Sequence, residues 1–319
     1  MAGQGEQGGA SDAGAGAGTS IDRERPLVEL ARPKVNLTLR VLGRRADGYH
    51  ELESLVAFAD GVADTLTLEP GGDPEVVVGG PFGVAISGAN LVTTALERLA
   101  AAEPRLRLGR VRLEKHLPVA AGIGGGSADA AALIRAVRRA NPGLADAVDW
   151  FGLARGLGAD VPVCLLNRAA LMRGTGERLE PLKALAPLPA VLINPMAPVP
   201  PDKTAQVFRL LEAPLLQKPT VAAAQASDAE DGPPSSGREL VLYINRHGNN
   251  LAGPAIAVVP QVASALAALE RDHGALLARL SGAGPTAFGV FDTWKMAERA
   301  REAIKARHPA WWVEAVVLG

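Results

Sequence analysis

Four glycines lie within the run Pro118-Val119-Ala120-Ala121-Gly122-Ile123-Gly124-Gly125-Gly126-Ser127-Ala128-Asp129. This run separates an alternating, strand-like stretch at 111–115 from a helix-patterned stretch at 127–140. Glycine tolerates positive φ and lets a backbone approach a ligand closely. A helix N-terminus offers unpaired N–H groups and a partial positive charge. A strand passing through such a run into a helix therefore predicts a cradle for an anion. Ser127 stands where the helix is expected to open, so it can cap the helix or touch a phosphate. The run lacks the Gly-Lys-Ser/Thr of a Walker loop, and it does not follow the first strand as a dinucleotide fingerprint does. A tight turn that binds nothing satisfies the same spacing.

The rest of the pattern is mixed helix and strand. Val35, Leu37, Leu39 and Val41 alternate with Lys34, Asn36, Thr38 and Arg40, which predicts a half-buried strand. Further strands are expected at 65–68, 76–78, 190–194, 286–291 and 312–317. Helices are expected at 90–102, 127–140, 203–211, 261–271 and 295–307. In the second of these, Ala130, Leu133, Ile134 and Val137 form an apolar stripe, with Arg135, Arg138 and Arg139 facing water. The sum is a two-layer α+β arrangement. The polar, glycine-rich residues 1–25 read as a disordered tail, and 212–238 as a mobile surface insertion without periodicity.

Composition narrows the function. Lys plus Arg number 33 and Asp plus Glu 34, so no basic excess points to nucleic acid or an anionic membrane. A phosphate substrate then needs local positive groups. No apolar run approaches the roughly 18 residues of a spanning helix. The N-terminal residues lack the basic start and apolar core of a signal peptide, which implies a cytoplasmic protein. The single cysteine, Cys164, lies in an apolar run and reads as a small buried hydrophobe. The five histidines show no metal-ligand spacing.

The glycine-rich run resembles the phosphate loop of the GHMP kinases. Pro33-Lys34-Val35-Asn36-Leu37, Gly43-Arg44-Arg45-Ala46-Asp47-Gly48-Tyr49-His50, Gly158-Ala159-Asp160-Val161-Pro162, Arg173-Gly174-Thr175-Gly176-Glu177 and Leu280-Ser281-Gly282-Ala283-Gly284-Pro285-Thr286 extend that resemblance in the family's order. It implies a ribosomal-protein-S5-like N-terminal domain at 26–185 that binds ATP, a ferredoxin-like C-terminal domain at 186–319, and an active site in the cleft between them. The Asp47-Gly48-Tyr49-His50 run is specific to one branch of the family. It implies that ATP, with Mg2+, phosphorylates the 2-hydroxyl of a cytidyl-diphosphate methylerythritol in the non-mevalonate isoprenoid route. A monomer or weak homodimer follows. Another kinase of the family, or a ligand sensor without turnover, is the rival reading.

The resemblance also implies roles. Asp160 takes the hydroxyl proton, and Lys34 keeps it ionised while offsetting charge on the phosphoryl group. Without the family, Lys34 reads as a solvated strand lysine and Asp160 as a turn or cap aspartate. Asn36 shares the face of Lys34. Tyr49 and Phe208 sandwich the cytosine while His50 bonds its polar edge, and Thr204 lies on the substrate side. Phe208 reads equally as a core residue of an amphipathic helix. Asn90, Lys115 and the loop from Pro118 through Val119, Ala120, Ala121, Gly122, Ile123, Gly124, Gly125, Gly126 and Ser127 to Ala128 hold ATP. The pattern departs from the family at Ala283, where serine is frequent, at Asn250, where aspartate is usual, and at 200–204.

Overall fold

The alternation at 34–41 does not make one strand. A computed structural model describes residues 25–85, 90–216, 233–234, 236–271 and 274–319. There β1 (Leu27–Ala31) leads to β2 (Lys34–Asn36) and β3 (Arg40–Arg44), with the path broken at 37–39. Residues 34–39 are buried on both faces, not half-buried. The reason is β4 (His50–Asp60), which pairs with both short strands, while Thr38 Oγ1 accepts from Leu55 N at 3.0 Å and draws the polar face inward. Residues 53–59 of β4 are all buried, so no period of two announces that strand.

Next, β5 (Asp64–Gly79) unites the two runs expected at 65–68 and 76–78. It turns at Gly71 and Gly72, both at positive φ. Helix α1 (Leu91–Ala102) follows, then β6 (Gly109–Glu114), with which both arms of β5 pair, Thr65 opposite Glu114 and Val76 opposite Val111. Helix α2 (Gly125–Ala140) begins two residues before the expected start, because Gly124 at φ 67° is its N-cap. Arg138 and Arg139 are exposed as expected. Arg135 is not: it donates to Glu29, to the Leu30 carbonyl and to the Cys164 carbonyl, tying α2 to β1 and to the short helix at 161–166. Helices α3 (Trp150–Leu157) and α4 (Val161–Leu166) complete the layer over the β1-β5-β6 sheet. Its core holds Leu66, Leu68, Leu99, Leu113, Leu133 and Ile134. Cys164 is buried there, and burial pushes its thiol up, so it stays a hydrophobe.

Strands β7 (Ala170–Gly174) and β8 (Arg178–Pro181) extend the sheet built on β4. Then β9 (Leu188–Asn194), α5 (Lys203–Leu210), α6 (Gly237–His247), α7 (Ala252–Val258), α8 (Gln261–Glu270), β10 (Ala275–Leu280), β11 (Ala287–Phe291), α9 (Trp294–Arg307) and β12 (Trp312–Leu318) follow. The strand order β10-β11-β9-β12, all antiparallel, with α8 and α9 as crossovers, is the ferredoxin-like β-α-β-β-α-β arrangement. Through β12, which also pairs with β4, it continues into the first half of the chain.

Residues 1–24 and 217–232, where the tail and most of the insertion were expected, lie outside the described residues. The described ends of the 212–238 stretch take part in the fold. Arg44 bridges Leu215, and Gly237 opens α6. The spacing of Leu240, Val241, Tyr243 and Ile244 carried a signal for α6. Among the described residues no helix is long and apolar enough to cross a membrane.

Candidate active site

Two cavities meet beside Asp160. The first, about 510 Å³, is lined by Asn90, Lys115, residues 118–122 and 124–127, Asp129, Asp160, Lys203 and Thr204. The second, about 710 Å³, is lined by Arg44, Gly48, Tyr49, His50, Thr175, Thr204, Phe208 and Arg209, among others. Thr204 lines both, and Ala159, the neighbour of Asp160, lines the second.

Asp160 occupies the N-cap position of α4, yet its side chain makes no cap bond. It turns instead to Lys34, whose Nζ lies 3.2 Å from its Oδ2. Lys34 is 4% exposed, so the solvated-lysine reading fails. Its Nζ also donates to Asn36 Oδ1 at 2.7 Å, and Asn36 Nδ2 donates to Ser54 Oγ at 2.7 Å. Ser54 Oγ in turn donates to the Thr38 carbonyl at 2.6 Å. This buried chain fixes the lysine, and Asn36 acts beneath it without lining either cavity. Ser54, which sequence reasoning passed over, is part of that support.

The loop takes positive φ at Ala120, Gly122 and Gly124, whereas Gly125 and Gly126 are helical. A Cβ on Gly122 would stand 2.5 Å from the Gly284 carbonyl oxygen, and one on Gly124 2.8 Å from Lys34 Cγ. Glycine is thus required by close approach at both. No side chain caps α2, so Ser127, inside the first turn, does not play the cap role expected of it. The N–H groups of that turn point into the cavity end of the helix, a ready anion site. Ile123 and Ala128 are buried under the loop and do not line the cavity, though the Ile123 carbonyl accepts from Lys34 N at 3.0 Å. The turn 281–285 closes over the loop: Ser281 Oγ donates to the Gly122 carbonyl at 3.2 Å and Thr286 N to the Ala121 carbonyl at 3.1 Å. Asn249 Nδ2 holds that turn through the Leu280 and Gly282 carbonyls, and Asn250 Oδ1 accepts from Val41 N, so the asparagine pair is structurally employed.

Lys115 lines the cavity but its charge is spent. It is buried and paired with Asp64 and with Asp129, the latter at 2.6 Å. Asp64 Oδ1 also accepts from Leu117 N at 2.8 Å. Asp129 keeps one buried oxygen, Oδ1, without a partner, and burial followed by repulsion from Asp64 pushes its carboxyl up to about 7. Neither aspartate was singled out from the sequence, although Asp129 follows Ser127 by two residues in a helix facing the ligand. Asn90 Oδ1 is committed to capping α1 through Val92 N and Thr93 N.

In the second cavity Tyr49 and His50 sit at the tip of the β3–β4 hairpin, where Asp47 Oδ1 accepts from Tyr49 N at 3.1 Å. Phe208 stacks on His50, with centroids 4.7 Å apart and planes at 29°, and Tyr49 is 66% exposed. Phe208 also packs on the core around Val207 and Leu251, so its two readings both hold in part. Burial, then Arg44, lowers the His50 pKa and favours the neutral ring.

Family models for the GHMP kinases N terminal domain and the GHMP kinases C terminal match residues 90–168 and 235–310. A 4-diphosphocytidyl-2-C-methyl-D-erythritol kinase from Bradyrhizobium diazoefficiens is 46% identical over 294 residues, 92% of this chain and 98% of its own. The chain belongs to the GHMP kinases. Within them it falls among the 4-diphosphocytidyl-2-C-methyl-D-erythritol kinases. A relative of that name from Methylobacterium radiotolerans is 48% identical over 301 residues, covering 92% and 99% of the two chains. The crystal structure of a 4-(cytidine 5'-diphospho)-2C-methyl-D-erythritol kinase superposes with a TM-score of 0.70 at 36% identity, covering 92% of this chain and 99% of the other. As a GHMP kinase the chain is an ATP-dependent small-molecule kinase.

Proposed function

We propose that the chain transfers the terminal phosphoryl group of ATP to the 2-hydroxyl of 4-diphosphocytidyl-2-C-methyl-D-erythritol, a step of non-mevalonate isoprenoid precursor synthesis. One observation carries the site assignment: the Lys34–Asp160 pair stands where the cavity of the glycine loop meets the cavity of Tyr49, His50 and Phe208. The names of the relatives supply the substrate.

In this reading ATP lies in the first cavity with its phosphates at the N–H groups of Gly125, Gly126 and Ser127. The cytidine lies in the second, on the faces of Tyr49 and His50. The acceptor hydroxyl comes to Asp160. Its oxygen bonds to the terminal phosphorus, the bond to ADP breaks, and Asp160 receives the proton. In a loose transition state the proton leaves late, so positioning outweighs basicity. Lys34 holds Asp160 ionised and offsets charge on the moving group.

Mg2+ prefers oxygen donors, keeps several waters and binds mainly through substrate phosphates. Asp129, whose buried Oδ1 has no partner, and Ser127 with its hydroxyl are both residues of the first cavity's lining and fit that demand. Among the described residues no group of three or more acidic, His or Cys side chains could hold a metal alone. Asp129 and Ser127 would therefore hold Mg2+ together with ATP, and the metal would neutralise phosphate charge. We further assign 26–185 and 186–319 as two lobes, the boundary falling between β8 and β9. A cytoplasmic monomer or weak homodimer completes the reading.

The test is ADP formation with the cytidyl-diphosphate substrate against bare methylerythritol phosphate. Equal rates with both would remove the cytidine from recognition.

A further inference from the structure

Lys203 opens α5 and is 6% exposed. Its Nζ donates to the Ala283 carbonyl at 3.2 Å and to the Gly284 carbonyl. Both belong to the turn that closes over the glycine loop. Carbonyl oxygens solvate a cation without neutralising it. Lys34 has Asp160, and Lys115 has Asp64 and Asp129. Among the described residues no carboxylate pairs with Lys203. Its neighbour Asp202 is engaged by Gln206 at 2.7 Å and by Arg209 at 3.2 Å.

A buried ammonium without a counter-charge is costly. Burial, then Lys34, pushes its pKa down to about 8. The two ammonium groups therefore share one field, yet come from opposite lobes. Lys203 also lines the same cavity as the uncapped N-terminus of α2 and Asp160. A transferring phosphoryl group must pass between that N-terminus and Asp160. The arrangement is a place for an anion that arrives and leaves with the reaction.

We infer that Lys203 is a second phosphate-binding cation, contacting the terminal phosphate of ATP opposite Lys34 and stabilising it as it moves to the acceptor oxygen. The inference rests on the kinase reading above. It adds no proton transfer: the P–O bond to ADP breaks, the bond to the acceptor forms, and Asp160 takes the proton while Lys203 stays charged. It also gives the departure at 200–204 a role, and it places a cation beside Ala283, where serine is frequent in the family.

Lys203→Gln keeps N–H donors for the two carbonyls and removes the charge, whereas Lys203→Arg keeps the charge. Titration with nucleotide alone, without acceptor, is the first measurement. In Lys203→Gln, ATP affinity should fall by about tenfold or more and ADP affinity by less than about threefold, while kcat falls about 10²–10³-fold and Lys203→Arg recovers part of it. Equal losses for ATP and ADP, or an unchanged kcat, would reduce Lys203 to a staple between α5 and the turn. Wild-type protein that binds ATP but does not turn over the cytidyl substrate would sink the substrate assignment and leave the titration standing. If Lys203→Gln does not fold, the wild type decides by calorimetry in two buffers near pH 8, the value to which Lys203 is lowered. With Lys34 and Asp160 facing it and Asp202 beside it, Lys203 should take up more protons on ATP binding than on ADP binding. Equal uptake overturns the proposal.

Discussion

Lys34 Nζ and Asp160 Oδ2 stand 3.2 Å apart, the lysine buried and the aspartate side chain 34% exposed. The pair joins a strand of the sheet to the start of α4, and only its acidic member reaches the cavity. Asp160→Asn keeps the shape and removes the proton acceptor. The rate should fall about 10²–10⁴-fold with substrate affinity held. Lys34→Met should be comparably damaging, and the double variant little worse than either, since members of one catalytic unit do not add. Single-turnover kinetics decide it; additive losses would mean that the two act independently.

Gly124→Ala tests how closely the loop is built around Lys34. The residue sits at φ 67°, and its new Cβ would meet Lys34 Cγ at 2.8 Å and Cε at 3.2 Å. Left-handed backbone costs roughly 1–2 kcal/mol for alanine. A lysine displaced by about 1 Å can cost on the order of 10²-fold in rate. Gly253→Ala, in helix α7 with nothing within 4 Å of its new Cβ, should be near neutral. Matching kcat values for the two variants would disconnect the loop from Lys34.

Tyr49→Ala removes an exposed ring from the hairpin tip. Stacking on a base is worth about 1–3 kcal/mol, so KM for the cytidyl substrate should rise about 5–150-fold. KM for ATP and kcat should hardly change, because stacking is present in ground and transition states alike. A fall in kcat alone would contradict the stacking role.

The lowered pKa of His50 sets a pH window. Burial and Arg44 both favour the neutral ring, so it charges below its ordinary 6.5. KM for the cytidyl substrate should stay flat from alkaline pH down to 6.5 and rise only below it. A rise centred above 6.5, abolished by His50→Asn, would show that the ring is already charged in the free site.

Lys115→Met should act on stability. It leaves Asp64 and Asp129 buried together without their cation. Breaking such a pair costs about 3–5 kcal/mol. Urea unfolding should show that loss at neutral pH. It should ease toward acid, because Asp129, already pushed up to about 7, takes a proton.

Much of the second half of the fold could be read from periodicity. Helix α8, strand β12 and, in the first half, helix α2 after the glycine loop are amphipathic in the ordinary way, with one face on a core. The strands that escaped are those whose surroundings erase the period. Strand β4 is covered on both faces. Helix α6 keeps its period in Leu240, Val241, Tyr243 and Ile244, and escaped because it follows directly on a composition that suggested no structure. At the site, Lys34 and Asp160 were named from resemblance, while their chain of support through Asn36 and Ser54 depends on strand pairings that no local pattern carries. Lys203, Asp64 and Asp129 were passed over because a charged residue reads as solvated until its burial is known.

The pairing of β12 with both β9 and β4 fixes an order of events in synthesis. Strand β4 ends at Asp60, and β12 starts at Trp312, roughly 250 residues later, a delay of about 10–50 s at ribosomal speed. For that interval one end of β4 has no partner in the place β12 will take, and an open strand edge invites pairing with other chains. The ribosome therefore makes Lys34 and Asp160 early but seals the sheet that carries Lys34 last.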